Sequence, residues 1–549
     1  MHDGKTALWG NNPTAPEGWG DMPSAWCGGR GIRVLGAPLG TPAFVREFCA
    51  NKSADEKSFH TEISNFAEAT NDAQTAMLLL KYCAIPRSNH LCRTVPPEAL
   101  REHTREVDLG VQGCFAKIAA VEPAQLSDKT KIVISLAQRS GGAGLRSLER
   151  VSPAAYWGSW ASVIPAMHTL APELAERCVA ALEVGDNTSN ALSELAEAAR
   201  LLSSEGFDRP AWRELRPAIA GVRWVGPEGA NEEEEPGEFA HGWQFHASRA
   251  REDYAKARFV ESLNPSELAK FRSQGGVGAA AWLDVIPVSR ALVIPSNLFV
   301  IALRLRTFMQ LPLHERSCPG ATCGAELDAW GAHILACTRT GRMRRRCMPL
   351  EKAWVQVARE AGARALLNVP IGKVGVPGID PRDQRRLDGV ISGLPIYGGK
   401  PIVIDATIRA PLTGGGLPAH GADRRNGAVF EHARRDKEEA YPELHNTGLV
   451  EFMTLACETG GRWSEECVSL LRALVTHKSN QAPRPLRNSL KVTLARRWWG
   501  LLSVAATKGI AQSSEGFFDA DDSGAIWIHP TNEELYATCE MCPDVSRVA

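Results

Sequence analysis

Between Cys318 and Cys337 the chain reads CPGATCGAELDAWGAHILAC, which sets three cysteines and one histidine at the spacing C-x4-C-x9-H-x3-C. Zinc takes four soft or borderline ligands in a tetrahedron. A Pro/Gly turn can bring Cys318 and Cys323 together, and His333 and Cys337, four residues apart, share one helix face. Thiolates bind once deprotonated, so a small loop-rich segment of this kind folds largely because the metal binds it. Four protein ligands leave no open position, which makes the expected zinc structural and not catalytic. The competing reading is four unrelated residues, and the compactness of the run argues against it. Cys539 and Cys542 form a second pair at C-x2-C spacing, but no further pair lies near them.

The rest of the chain must be organised around that segment. A length of 549 residues suggests three or four units, and 44% hydrophobic with 23% charged residues is globular composition. No apolar run reaches the roughly 18 residues of a membrane span and no secretory pattern follows Met1, so a membrane or secreted protein is not expected. The 14 cysteines then point to reduced thiols or metal ligands in an intracellular setting. A net charge of -1 conceals a segregation, because residues 301–500 carry 30 Lys+Arg against 19 Asp+Glu while both flanks are acidic. A basic block between acidic flanks is the footprint of a polyanion-binding module, although a solvated basic face would look the same.

Periodicity divides the chain. Residues 1–225 read as mostly helical, opening on a short strand at Ile32 to Leu35 and a Gly/Pro turn, with Pro153, Pro165 and Pro172 near helix starts. An acidic linker over 226–239 contains Glu232 to Glu235, a helical region covers 240–310, and the metal-binding knuckle occupies 311–347. An α-β-β-β-α-β order follows in 348–480. A basic-aromatic helix (Arg496, Arg497, Trp498, Trp499) and an acidic tail fill 481–549. The arginines of the run Arg342, Arg344, Arg345 and Arg346 stand where they can meet phosphates, as do Arg496 and Arg497. The tryptophan pair reads more readily as core than as a base-stacking surface.

Within 348–480, strands are expected at Leu366 to Ile371, Leu387 to Ser392, Ile402 to Ile408 and Leu449 to Leu455, with a helix over Ala428 to Tyr441. A turn centred between Ile396 and Tyr397 pairs residues whose numbers sum to about 793, which sets Asp388 opposite Asp405. Facing carboxylates are unfavourable unless a cation neutralises them, and Asp405 lies in the apolar run PIVIDATI, where an unpaired charge is costly. Two carboxylates on one hard divalent ion suit phosphodiester hydrolysis, in which the metal polarises the phosphate and activates water. Lys437 on the following helix can orient that water, and Tyr441 stands one turn later. The plainer alternative leaves the aspartates as strand-end residues and Lys437 as an exposed charge.

The order Cys318, Cys323, His333, Cys337, then Asp388, then Asp405 with Thr407, then Lys437 with Tyr441 resembles the C-terminal region of non-LTR retrotransposon polyproteins. Those polyproteins carry a Cys-Cys-His-Cys knuckle followed by a restriction-like endonuclease of the PD-(D/E)xK type. More weakly, IRVLGAPLG (Ile32 to Gly40) and SGGAGLRS (Ser140 to Ser147) are similar to the post-palm and thumb region of the same reverse transcriptases. The polymerase palm itself has no counterpart, since no Tyr/Phe-x-Asp-Asp hairpin precedes this region. The sequence departs from the family at Leu387, where proline is usual, and in the Gly/Pro-rich stretch Gly414 to Gly421 before Lys437. The resemblance implies a multidomain chain with a thumb-like helical region, a zinc knuckle and a restriction-endonuclease-like αβββαβ core. It further implies a nuclear, Mg²⁺- or Mn²⁺-dependent enzyme that nicks DNA, with RNA as a further partner and no membrane. The alternatives are a catalytically inactive nucleic-acid-binding remnant and an inert mobile-element relic.

Overall fold

The computed structural model describes residues 9–10, 29–185, 190–215, 242–313, 316–320, 322–445 and 447–515. The acidic linker, the acidic tail and the Cys539–Cys542 pair lie outside these residues. The described residues are mostly helical, with two small sheets. None of the described helices is long and apolar enough to cross a membrane.

At the start, β1 (Gly31–Val34) and β2 (Ala37–Gly40) pair antiparallel about Leu35 and Gly36. The expected Gly/Pro turn is therefore a second strand, and Pro38 fits it because a two-stranded ribbon leaves one side of each strand unpaired. Thr41 then caps the helix Pro42–Thr70, accepting from the Phe44 N–H. Pro172 stands at the start of its helix, as expected. Pro153 and Pro165 instead lie inside the single helix Leu148–Leu170. Both are buried there, so packing outweighs the hydrogen bond that each proline forgoes.

One apolar core runs through most of the molecule. It joins Met77, Val107 and Phe115 of the first helices to Phe299 and Leu303 of Ser296–Arg306, to Trp354 and Ile404, and to Leu502 of Arg487–Glu515. The last helix, set apart in sequence as a terminal segment, lies along Arg342–Glu360 with Trp498 fully buried. A second cluster around Trp157, Leu195 and Trp212 holds the helices between residues 148 and 215 together.

The second sheet has the order β3 (Arg364–Pro370), β4 (Arg386–Ser392), β5 (Ile402–Arg409) and β6 (Glu451–Glu458). Its first two pairings are antiparallel and the last is parallel, with Asp405 beside Thr454. The parallel step needs a crossover, supplied by the helix Ala428–Ala440. Every residue of β5 from Ile402 to Ile408 is buried, because helices cover both faces. Ile402, Ile404, Ala406 and Ile408 enter the main core, whereas Val403 joins Tyr441 and Leu444 on the other side. By the same alternation Asp405 and Thr407 belong to that second face. Gly389 of β4 lets the strands close, since a Cβ there would stand 2.9 Å from Ile404 Cγ1.

Candidate metal centre and carboxylate site

In the knuckle an antiparallel bridge between Ser317 and Glu326 forms a short ribbon, and the Cys323 N–H turns back to the Gly320 carbonyl at 2.9 Å. Asp328 organises the other half. Its carboxylate accepts from the N–H groups of Trp330, Ala332 and His333 at 2.8–3.0 Å and so starts the helix Ala332–Ala336. These two pieces bring Cys318, Cys323, His333 and Cys337 together, with all four ligand atoms within 4.8 Å of one another. Sγ of Cys318 lies 3.7 Å from Sγ of Cys337, and His333 Nε2 lies 3.4 Å from Cys323 Sγ. Ligands about 2.3 Å from a common centre stand roughly that far apart, so the set could hold a structural ion such as zinc. A backbone N–H from Ala325 lowers the Cys323 thiol to about 7, while burial raises Cys318 to about 11. His333 Nδ1 faces the Gly414 carbonyl at 3.1 Å, the outer contact that holds a ligating imidazole by its other nitrogen.

The register of β4 and β5 is Gly389↔Ile404, Val390↔Val403 and Ile391↔Ile402, each pair summing to 793. Carried one residue further it sets Asp388 beside Asp405. There the ladder gives way to a side chain, because Asp388 Oδ2 accepts from the Ala406 N–H at 2.7 Å. Asp405 is only 2% exposed, and Lys437 Nζ reaches its Oδ1 at 2.6 Å from the last turn of the crossover helix. Burial, then the Asp405 and Glu351 carboxylates, push the Asp388 carboxyl up to about 7.

Glu351 was not legible as part of this group. It lies on Arg342–Glu360, whose apolar face packs on β3, β4 and β5, and burial followed by Asp405 raises its carboxyl. Its signal in the sequence is its place between Leu350 and Trp354 on that helix, adjacent to the buried side.

Tyr441 departs from its expected place. The helix ends at Ala440, and Tyr441 caps it with a non-helical backbone at φ −135, ψ 54. Its hydroxyl donates to the Arg386 carbonyl at 2.9 Å, which ties the crossover helix to β4 two residues before Asp388. Burial and the two aspartates raise this phenol to about 12.

The arginines divide. The run at 342–346 is not a loop but the start of the helix Arg342–Glu360. Arg346 falls four residues before Leu350 on the buried face and is 1% exposed. Its guanidinium donates to the carbonyls of Leu335 in the knuckle and Ile408 in β5. Arg346 therefore cannot meet phosphate, because its guanidinium is buried with Nη1 and Nη2 both engaged inside the protein. Arg342 is half-buried and donates to the Ser513 carbonyl at 3.2 Å. Arg344 and Arg345 stay exposed. In the last helix Arg497 pairs with Glu360 at 2.9 Å, beside Trp498 Nε1, which donates to the same carboxylate. Arg496 is exposed near the Tyr82 hydroxyl. The basic residues thus occupy separate places and form no single phosphate-binding strip among the described residues.

No protein-family model matches the chain, and no curated protein matches it.

Proposed function

We propose that the protein is a metal-dependent endonuclease that nicks DNA. In this reading residues 348–480 form a restriction-like core of the kind found in non-LTR retrotransposon polyproteins. The observation that carries the reading is the Lys437–Asp405 contact at 2.6 Å, because Asp388, which accepts from the N–H of the next residue, Ala406, brings a second carboxylate to that lysine and aspartate. Thr407 occupies the position two residues after the second acid where such enzymes usually place their lysine. Lys437 reaches the same carboxylate from the crossover helix instead.

Asp388, Asp405 and Glu351 would supply the hard oxygen donors that Mg²⁺ or Mn²⁺ takes, although among the described residues only the knuckle's four side chains already stand close enough to hold an ion. The Asp388 carboxyl is raised first by burial and then by the neighbouring Asp405 and Glu351 carboxylates, and Lys437 offsets this only in part. When bound, a divalent ion supplies Lewis acidity toward the phosphate and acidifies water. Lys437 orients the attacking water and offsets charge developing on the phosphate, while Tyr441 holds the helix that delivers it. Exposed Arg344 and Arg345, at the start of the helix that carries Glu351, approach the DNA backbone. The knuckle is a zinc-stabilised support for this core, tied to it through Arg346.

A plasmid-nicking assay with Mg²⁺ or Mn²⁺ tests the reading. Asp405→Asn keeps the size and removes the charge, so nicking should fall by about three orders of magnitude while DNA affinity is retained. Nicking that survives Asp405→Asn overturns the assignment and leaves the binding remnant in its place.

A further inference from the structure

A positively charged site lies in the helical half of the molecule, apart from the carboxylate site. The start of the helix Leu148–Leu170, the helix Trp243–Glu261 and the short turn Gln138–Ser140 enclose a cavity of about 350 Å³. Arg93, Arg139, Arg146, Arg150 and Arg249 line it, against the single carboxylate of Glu252. All of its lining residues precede the knuckle, so none belongs to the carboxylate site.

Five guanidinium groups and one carboxylate line the concave wall, and although Asp253 offsets Arg249 and Asp108 and Glu205 act on Arg150, the lining itself carries an excess of positive charge that focuses positive potential. Glu252 is buried and feels Arg146, Arg150 and Arg139 together, so one carboxylate is shared among three cations. Arg249 stands 3.9 Å from Asp253 on its own helix. Arg93 and Arg146 are exposed and form no ion pair among the described residues. Such a cluster is costly unless an anion completes it.

The wall is also held in place. Arg150 Nη2 donates to Ser135 Oγ at 3.0 Å, and its carbonyl accepts from Arg251 Nη1 at 2.7 Å. Arg251 in turn grips Glu205 with its other nitrogens. The N-terminal amides of Leu148 and Glu149 are already taken by Asp108, so recognition of an anion here falls to the guanidinium groups. Guanidinium forks match phosphate oxygens in geometry and charge. Trp243 adds a flat indole, fixed edge-on to Trp157 at 5.9 Å, against which a sugar or base can lie.

We propose that this cavity binds a phosphate of a single-stranded nucleic acid and holds one nucleotide against Trp243. A concave space of this size takes one nucleotide and excludes the width of a duplex. The inference is independent of the nuclease reading, because no residue is shared.

The test uses the full chain without added Mg²⁺ and a 3′-fluorescein single-stranded DNA decamer, followed by anisotropy over a salt series. Arg93→Ser with Arg146→Ser should weaken binding at least about tenfold at moderate salt. It should also reduce the salt slope by about 0.7 for each phosphate no longer neutralised. The corresponding double lysine variant should recover most of the affinity. Neither position is buried, so an unchanged melting temperature shows that the variant is folded. A 5′-phosphorylated decamer that binds several-fold tighter than its 5′-hydroxyl form assigns the cavity to a terminal phosphate, and equal affinity assigns it to an internal diester. Affinity and slope unchanged in the serine variant overturn the proposal, whatever Asp405→Asn does to nicking.

Discussion

Among the described residues of the knuckle, Cys318, Leu327, Ile334 and Cys337 form a small buried cluster of their own, two of them metal-ligand candidates, while Leu311 and Leu335 join the main core. In the adjoining sheet, Ile402, Ile404, Ala406 and Ile408 enter a core that extends to the first and last described helices. Two buried aliphatic side chains contribute about 3–6 kcal/mol, whereas zinc bound to small Cys/His modules contributes about 10 kcal/mol or more. A knuckle of this size would therefore draw its stability from a metal held by the four candidate ligands, whereas the sheet depends on apolar burial. The two are joined by Arg346, which donates to one carbonyl in each. The contrast shows how a segment too small to fold alone can still serve as a rigid support.

Metal removal should break the comparison most strongly. After chelation, amide protection should disappear over 316–337 and persist in β5 and β6, as read by hydrogen exchange. Equal loss in both regions would show that the sheet does not stand on its own core.

Arg346→Met tests the joint. It leaves the carbonyls of Leu335 and Ile408 without donors, at about 1–3 kcal/mol each, partly offset by removal of a buried charge. A net loss of about 2–4 kcal/mol in urea unfolding is expected, against less than about 0.5 kcal/mol for exposed Arg345→Met.

The two regions should also respond to pH with opposite sign. Asp388 holds its proton up to about 7 in the folded protein, against an ordinary value of 3.8. Its contribution to stability is thus full below pH 3.8 and lost as pH rises toward 7. Metal-free protein should lose about 2 kcal/mol across that window, since one unit is worth about 1.4 kcal/mol and part of the shift belongs to the crowding with Asp405. Asp388→Asn should flatten the profile in thermal melts, and Mg²⁺ should oppose the loss. Zinc affinity should rise over the same range, because thiolate ligands must shed protons.

The smallest effect concerns the exposed arginines. Arg344→Ala with Arg345→Ala should lower the salt slope of duplex DNA binding by about 1–2 and leave stability unchanged within about 0.5 kcal/mol. An unchanged slope would make this end of the helix only a solvated face.

Much of the sheet and the knuckle was legible in the sequence. The four ligands follow from spacing along 20 residues, and the pairing sum of 793 follows from one turn, so each is a local property. Lys437 was placed on the correct helix, since the helix read over Ala428 to Tyr441 runs from Ala428 to Ala440. Arg346 could have been recovered from its helical spacing to Leu350 and Trp354, but its charge concealed that it belongs to the buried face.

What the sequence by itself determined was the order of the strands and helices around Asp388, Asp405 and Lys437, and the ligand set of the knuckle. Only the tertiary structure decided which charges are spent inside the protein. Arg346 and Arg497 are engaged by partners 11–137 residues away, and Arg93 and Arg249 line one cavity from distant parts of the chain. Periodicity reports which side of an element is apolar. Whether a guanidinium lies against a carbonyl, a carboxylate or water depends on which other element packs there, and no local pattern encodes that.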